Sequence, residues 1–151
     1  MNSTFELRLA SQPDYEAIAS VWHSSASLPG VGPPVMPTQN ELRRRIDLEF
    51  AAGWEVTVAV RRSDVIGFVA LKPREGVLDQ LFVRPALVGG GIGKALLAHA
   101  MAAMPKGFTL FTASSNAKAR IFYEKAGLIP MRDDAHPRTG HPVTYYGWKV
   151  V

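Results

Sequence analysis

The sequence predicts an α+β fold in three layers, α/β/α, with one sheet carrying helices on both faces. Two observations predict it. Apolar periodicity read along the chain gives the order β-α-α-β-β-β-α-β-α-β-β. The sharpest change of period lies in residues 77–104, VLDQLFVRPALVGGGIGKALLAHAMAAM, where an apolar β-branched run ends in a glycine cluster and a helical stripe begins at Ile92. A chain of 151 residues suits one domain, here 1–151, and no shift of composition marks an internal boundary.

Phe5, Leu7 and Leu9 alternate with polar neighbours, giving a first strand. Ser11 or Asp14 can cap the following helix, Pro13 fits its first turn, and Tyr15, Ile18, Ala19 and Trp22 form its apolar stripe. Residues 24–37 hold Gly30, Gly32 and four prolines, so they form a stiff loop. Thr38 and Glu41 stand at capping-box spacing before a second helix. Leu42 and Ile46 lie beside Arg45 and Glu49 on it; so narrow an apolar face places this helix at the edge of a cleft. The run Arg43-Arg44-Arg45 reads as a solvated face whose charge also favours an anionic cofactor or substrate.

Trp54, Val56, Val58 and Val60 share one side of a strand over 54–60. A turn at 61–64 joins it to a strand over 65–71 as an antiparallel hairpin. Residues 72–76 lead into the central strand, 77–83, and Pro85 stops its ladder. Ile92, Leu96, Ala100 and Met104 mark the buried side of the long helix, which Pro105-Lys106-Gly107 ends. A strand over 108–112 follows, then a helix over 117–126 opened by Asn116 and closed by Gly127. Strands at 128–131 and 143–150 flank a polar turn region at 133–142. The final strand is β-branched and aromatic; as an edge strand it needs cover or a partner, and a homodimer is expected. Tyr145 and Tyr146 point to opposite faces of it, so only one can line a pocket.

Composition narrows the function. There is no cysteine, which removes disulfides and thiolate chemistry, and the four histidines show no metal-binding spacing, so no metal is expected. A net charge of +4, scattered along the chain, argues against nucleic acid as a partner. No apolar run is long enough to span a membrane and the N-terminus lacks a signal pattern; a cytoplasmic location is expected.

The chemistry gathers at Gly89, Gly90, Gly91 and Gly93, between strand and helix. Such a turn aims unpaired N–H groups and a positive dipole end at an anion, and Lys94 in the first turn favours a phosphate group. It is not a nucleoside-triphosphate loop, because Val88 and Ala95 stand where glycine and a hydroxyl are needed. It is not a dinucleotide fingerprint either, since the third glycine would fall at Lys94 or Leu96. The stretch Val83-Arg84-Pro85 followed by Val88-Gly89-Gly90-Gly91-Ile92-Gly93 resembles the acyl-coenzyme A loop of the GCN5-related N-acetyltransferase (GNAT) superfamily. Gly91 and Gly93 match; Val88 occupies the usual Gln or Arg position, which removes a side-chain contact and leaves the backbone cradle. The stretch from Asn116 to Leu128, NAKARIFYEKAGL, resembles that family's N-x-x-A-x-x-F-Y-x-x-x-G-F, departing only at Leu128.

The resemblance implies a mostly antiparallel mixed sheet with splayed central strands, and acetyl-CoA as acyl donor without a metal. It implies contacts to that cosubstrate from Leu81, Phe82, Val83, Val88, Gly89, Gly90, Gly91, Ile92, Gly93, Lys94, Asn116, Ala119, Phe122 and Tyr123. Asn116 would orient it, and Tyr123 would protonate the departing thiolate as general acid. Asn116 and Tyr123 lie two helical turns apart, about 10.5 Å along the axis, so one ligand can meet both. Phe122 and Tyr123 would equally suit a core. Asp79 sits in an apolar strand, read as sharing a side with Leu81 and Val83, where a carboxylate is costly unless paired or facing a cleft. Some relatives carry an acid there that handles the acceptor amine; a structural pairing with Arg61, Arg62 or Lys72 is the alternative. His23, His136 and His141 are weaker candidates, the last two in the loop bordering the acceptor pocket. The implied reaction is direct acetyl transfer to a primary amine, with the Pro-rich 28–37 loop favouring a small molecule. An acyl-CoA-binding module without turnover and a peptide or protein amine acetyltransferase are the other readings.

Overall fold

The computed structural model describes residues 4–150. The elements are β1 (Glu6–Leu9), α1 (Tyr15–Ala26), α2 (Gln39–Ala51), β2 (Glu55–Arg61), β3 (Asp64–Lys72), β4 (Val77–Val83), α3 (Ile92–Ala103), β5 (Phe108–Ala113), α4 (Ala117–Lys125), β6 (Ile129–Ala135) and β7 (Pro142–Trp148). The seven strands form one sheet in the order β1-β2-β3-β4-β5-β7-β6, antiparallel except where β4 meets β5. This is the three-layer α+β architecture expected. No helix among the described residues is long and apolar enough to cross a membrane.

Local chemistry explains the elements. The Thr38 hydroxyl accepts from the Glu41 N–H at 3.1 Å, and the Glu41 carboxylate accepts from the Thr38 N–H at 2.9 Å. This reciprocal box is worth about 1 kcal/mol to α2. α1 continues to Ala26, beyond the expected loop start at 24, because the Ser25 hydroxyl finds the Val83 carbonyl at 2.8 Å and Ala26 is buried. The β2–β3 hairpin pairs Arg61 with Asp64, so its turn is only Arg62 and Ser63, at φ 51° and 70°. Both sit in the left-handed region without being glycine, at a cost of about 1–2 kcal/mol each, which is why the turn is weakly signalled in sequence.

Each sheet face has its own core. Ile18, Trp22, Leu42, Ile46, Val58 and Phe68 pack under α1 and α2. Ile92, Leu96, Phe108, Leu110, Leu128 and Tyr146 pack under α3 and α4.

Two expectations are corrected. β6 runs through Ala135, into the residues expected to be a polar turn, because every residue of it is exposed and the Asp133 carboxylate accepts from the opposed Thr144 hydroxyl at 2.8 Å. The final strand, β7, is not an edge: it lies between β5 and β6 with its backbone paired on both sides, and the edges of the sheet are β1 and β6.

The feature that positions the site is a break in the sheet. β4 and β5 share a single residue pair, Val77 with Thr109, and then diverge. The expected splay of the central strands is therefore present.

Candidate active site

β4 leaves the sheet into a short 3-10 turn, Pro85–Leu87, and the glycine loop delivers the chain to α3. Gly91 caps α3 at φ 86° and Gly89 lies at φ 95°, conformations that glycine adopts without penalty. A Cβ at either position would meet no protein atom within 4 Å, so the space over this helix start is open. Gly93 differs: a Cβ there would meet Phe122 at 3.6 Å and Val83 at 3.7 Å in ordinary van der Waals contact, so this glycine faces the β4 and α4 side chains rather than open space. Val88 before the loop and Lys94 in the first turn of α3 are both exposed, Val88 without a polar group to offer. Leu81 and Val83 pack towards α3, whereas Phe82 faces the opposite layer against Phe68, with ring centroids 6.1 Å apart. Only the backbone of Phe82 is thus open to a ligand on the α3 side.

On α4, the Asn116 Oδ1 accepts from the Ala119 N–H at 3.2 Å, closing the helix start and leaving Nδ2 to meet a ligand. Tyr123 is buried beside Phe122 and Tyr146, at 5.2 and 6.0 Å between ring centroids. Burial pushes its phenol above the usual tyrosine range, so it stays protonated at any working pH. The neighbouring Tyr146 hydroxyl is already engaged, donating to Glu124 at 2.7 Å and accepting from Arg120 at 3.1 Å.

The other face carries a polar network within an apolar surround. Between Ala70 and Leu71 the β3–β4 register shifts, with Gln80 and then Leu78 as their partners, so Asp79 is the extra residue of a bulge. The bulge interrupts the alternation. The Asp79 carboxylate lies on the α1–α2 side, opposite to Leu81 and Val83, where it accepts from the Trp54 indole at 2.8 Å. The expectation that these three share a side is thereby corrected. Its cation is Lys72, at 4.0 Å, rather than Arg61 or Arg62, and the same ammonium lies 3.5 Å from Glu49.

The arginine run is only partly a solvated face. Arg43 pairs with Asp47 at 2.8 Å, but Arg45 turns inward over the Trp22 ring, 5.2 Å from its centroid. Burial, then the charge of Arg138, pushes the Arg45 pKa below its usual value. Across from it, His136 Nδ1 accepts from the backbone N–H groups of Arg138 and Thr139 at 3.0 and 3.2 Å. The neutral ring therefore carries its proton on Nε2. His136 sits edge-on to Phe111 at 5.2 Å and stacks on His141 at 4.9 Å. Tyr145 packs on Phe111 at 5.2 Å and lies under Arg132, so it faces this side while Tyr146 is buried on the other.

The loop after α1 is tied to the start of α4 by the Ser115 hydroxyl, which donates to the Gly30 carbonyl at 2.8 Å. Between them lies a cleft of about 760 Å³ whose walls include Leu28, Pro29, Met36, Ser114 and His141. The arrangement offers an anion cradle on one face, a carboxylate and donors on the other, and an opening between β4 and β5. Among the described residues no cluster of His, Asp or Glu side chains could hold a metal. Lys72 is among the partners the sequence offers for Asp79, whereas the Trp54 bond and the inward turn of Arg45 escape sequence reasoning. Their one signal is that Arg45 and Glu49 occupy the apolar side of α2.

Residues 52–128 match the family profile described as Acetyltransferase (GNAT) domain. No curated protein sequence matches the chain. The fold is similar to a GCN5-related N-acetyltransferase from Rhodopseudomonas palustris, at 19% identity and TM-score 0.78 over 99% of this chain and 98% of that one. It is similar to an acetyltransferase from Thermus thermophilus, at 21% identity and TM-score 0.77, covering 98% and 99%. It is also similar to a phosphinothricin acetyltransferase from Sinorhizobium meliloti in complex with acetyl-CoA, at 18% identity and TM-score 0.74, covering 96% and 88%.

Proposed function

The chain belongs to the GNAT acetyltransferase family, and from that premise we propose that it transfers the acetyl group of acetyl-CoA to a primary amine of a small molecule. The observation that carries the reading is the open helix start at Gly89 and Gly91, next to a buried, protonated phenol on α4. The residues fit the donor. Backbone N–H groups at the start of α3 meet a pyrophosphate, Lys94 adds charge, and the amides of Leu81, Phe82 and Val83 border the gap beside β5. Ile92 and Ala119 shape the apolar floor, and Asn116 Nδ2 orients the ligand.

When bound, acetyl-CoA supplies a thioester whose carbonyl carbon bonds to the amine nitrogen as the carbon–sulfur bond breaks. Tyr123 donates its proton to the leaving thiolate. The burial that keeps this phenol protonated also penalises its phenolate, so the proton passes to sulfur as the carbon–sulfur bond breaks and water returns one to the phenol. The nucleophile must be neutral, and Asp79, directly or through a water, accepts the proton the amine loses. One proton leaves the amine and one reaches sulfur, so the reaction balances without metal or covalent enzyme intermediate.

The test is thiol release with a panel of small amines, amino acids, aminoglycosides and peptides, beside calorimetric binding of acetyl-CoA. Turnover of a small amine is expected. Tight donor binding with no turnover of any amine would make the chain a binding module instead. Release only with peptides would move the acceptor to a protein amine.

A further inference from the structure

Resting on the acetyltransferase reading, we propose that the acceptor carries a carboxylate beside its amine, held by Arg45, Arg138 and the Nε2–H of His136, with the amine directed to Asp79. The argument begins with Arg45. Its Nε is shut off from solvent without a hydrogen-bond acceptor, and its ion-pair partner, Glu49, stands 3.7 Å away. A guanidinium is costly to bury so poorly matched. The side chain is still 28% exposed, so a planar carboxylate can meet the guanidinium and supply the close ion pair that Glu49 does not.

The turn between β6 and β7 brings further donors to the same place. His136 has its Nδ1 occupied by two backbone N–H groups, so Nε2 can only donate. The charge of Arg138 is felt by both Arg45 and His136, and that of Arg45 by His136. Two guanidiniums, one from α2 and one from the β6–β7 turn, repel one another until an anion lies between them, and the neutral His136 ring adds a donor beside them. His141, stacked on His136, joins this group to the cleft that it also lines.

Negative charge stands beside this group: Glu49 lies 3.7 Å from Arg45, and Arg45 also feels the charge of Asp79. Asp79 is fixed by Trp54, and Lys72 lies between Asp79 and Glu49. The Asp79 carboxylate and the basic group thus lie side by side on the α1–α2 face, as the vicinal amine and carboxylate of an amino acid require. An amino acid satisfies both. A polyamine or aminoglycoside presents cations to Arg45 and Arg138 and is disfavoured.

The experiment compares matched acceptors: amino acids, their carboxamides, and the simple amines lacking the carboxylate. Carboxamides have the more readily deprotonated amine, so a preference for the acid cannot come from amine reactivity. Wild type is expected to use the acid with kcat/KM about 10- to 100-fold above the carboxamide, a loss in KM more than kcat. Arg138→Ala, in an exposed turn, and Arg45→Met, which keeps a long side chain over Trp22, should each narrow that ratio to within about threefold. Calorimetric binding of the same pair to the CoA complex gives a readout independent of turnover and should show the same order. Equal use or equal binding of acid and carboxamide, or preference for a polyamine, would overturn the carboxylate site while leaving the acetyltransferase intact. Failure of all amines to turn over, with acid and carboxamide bound alike, would remove both.

Discussion

The indole of Trp54 donates to the Asp79 carboxylate at 2.8 Å, tying the residue before β2 to the bulge of β4. Asparagine at 79 could accept the same bond while losing the charge. Asp79→Asn is therefore expected to change stability by less than about 1 kcal/mol but to lower acceptor kcat/KM about 10- to 100-fold. The deficit should be largest at low pH, where the acceptor amine is mostly protonated. Thiol release from about pH 6 to 9, beside thermal melts, checks both halves; unchanged activity throughout would leave Asp79 a structural residue.

Tyr123→Phe keeps the ring and removes the proton donor. Turnover should fall about 10² to 10⁴-fold with donor affinity nearly unchanged, read by steady-state kinetics and calorimetry. The raised phenol also predicts an alkaline effect. In the unfolded chain this tyrosine loses its proton near pH 10, while the folded state retains it. The folded state then binds more protons, so stability falls as pH rises beyond about 10. Tyr123→Phe should show a shallower loss in melts across that range, and identical slopes would contradict the assignment.

At the other end of the sheet, Asp14 accepts from Arg8 at 2.7 and 2.9 Å and from the Ser11 N–H at 2.8 Å. The Arg8 hydrogen bonds hold its carboxyl below the usual range. A depressed carboxylate contributes stability above the unfolded value near 3.9, and that contribution is lost as pH falls through the folded pKa. Asp14→Ala should cost about 1–2 kcal/mol at neutral pH and destabilise less in strong acid, measurable by denaturant titration at both.

Gly91→Val combines a strained φ of 86° with a branched Cβ in the open space over α3. A stability loss of about 1–2 kcal/mol is expected, with donor affinity lowered at least about tenfold and far more than by Lys94→Ala. Calorimetry decides; equal affinity of Gly91→Val and wild type would move the pyrophosphate elsewhere.

The expected homodimer is placed at the β6 edge, which carries exposed apolar side chains next to β7. β6 exposes Ile129 and Met131, at 65% and 44%. Sedimentation at micromolar concentration should give twice the chain mass, and Ile129→Lys should shift it to monomer. A monomer from wild type would end the proposal.

The glycine loop and α4 are legible in the sequence because their reasons are local. Left-handed φ at Gly89 and Gly91 and the cap at Asn116 depend on neighbours along the chain. Alternation puts Asp79 on the wrong side because one inserted residue in β4 reverses every alternation before it, and a bulge leaves no mark in the pattern. Arg45 reads as solvated because its place over Trp22 depends on how α2 leans on α1. The edge strand escapes because β7 inserts between β5 and β6, a non-local choice.

The divergence of β4 from β5 also bears on how the molecule opens. A single backbone bridge, Val77 with Thr109, joins β1–β4 to β5–β7, so the two parts hold together through the apolar cluster beneath α3 rather than through a ladder. Local opening is therefore expected to begin along this seam, which hydrogen exchange reads directly. Amides along the parted edges should exchange faster than those of the β2–β3 ladder. A ligand lying in the gap would act as a missing strand, slowing exchange on both sides at once and making two fluctuating halves fluctuate as one.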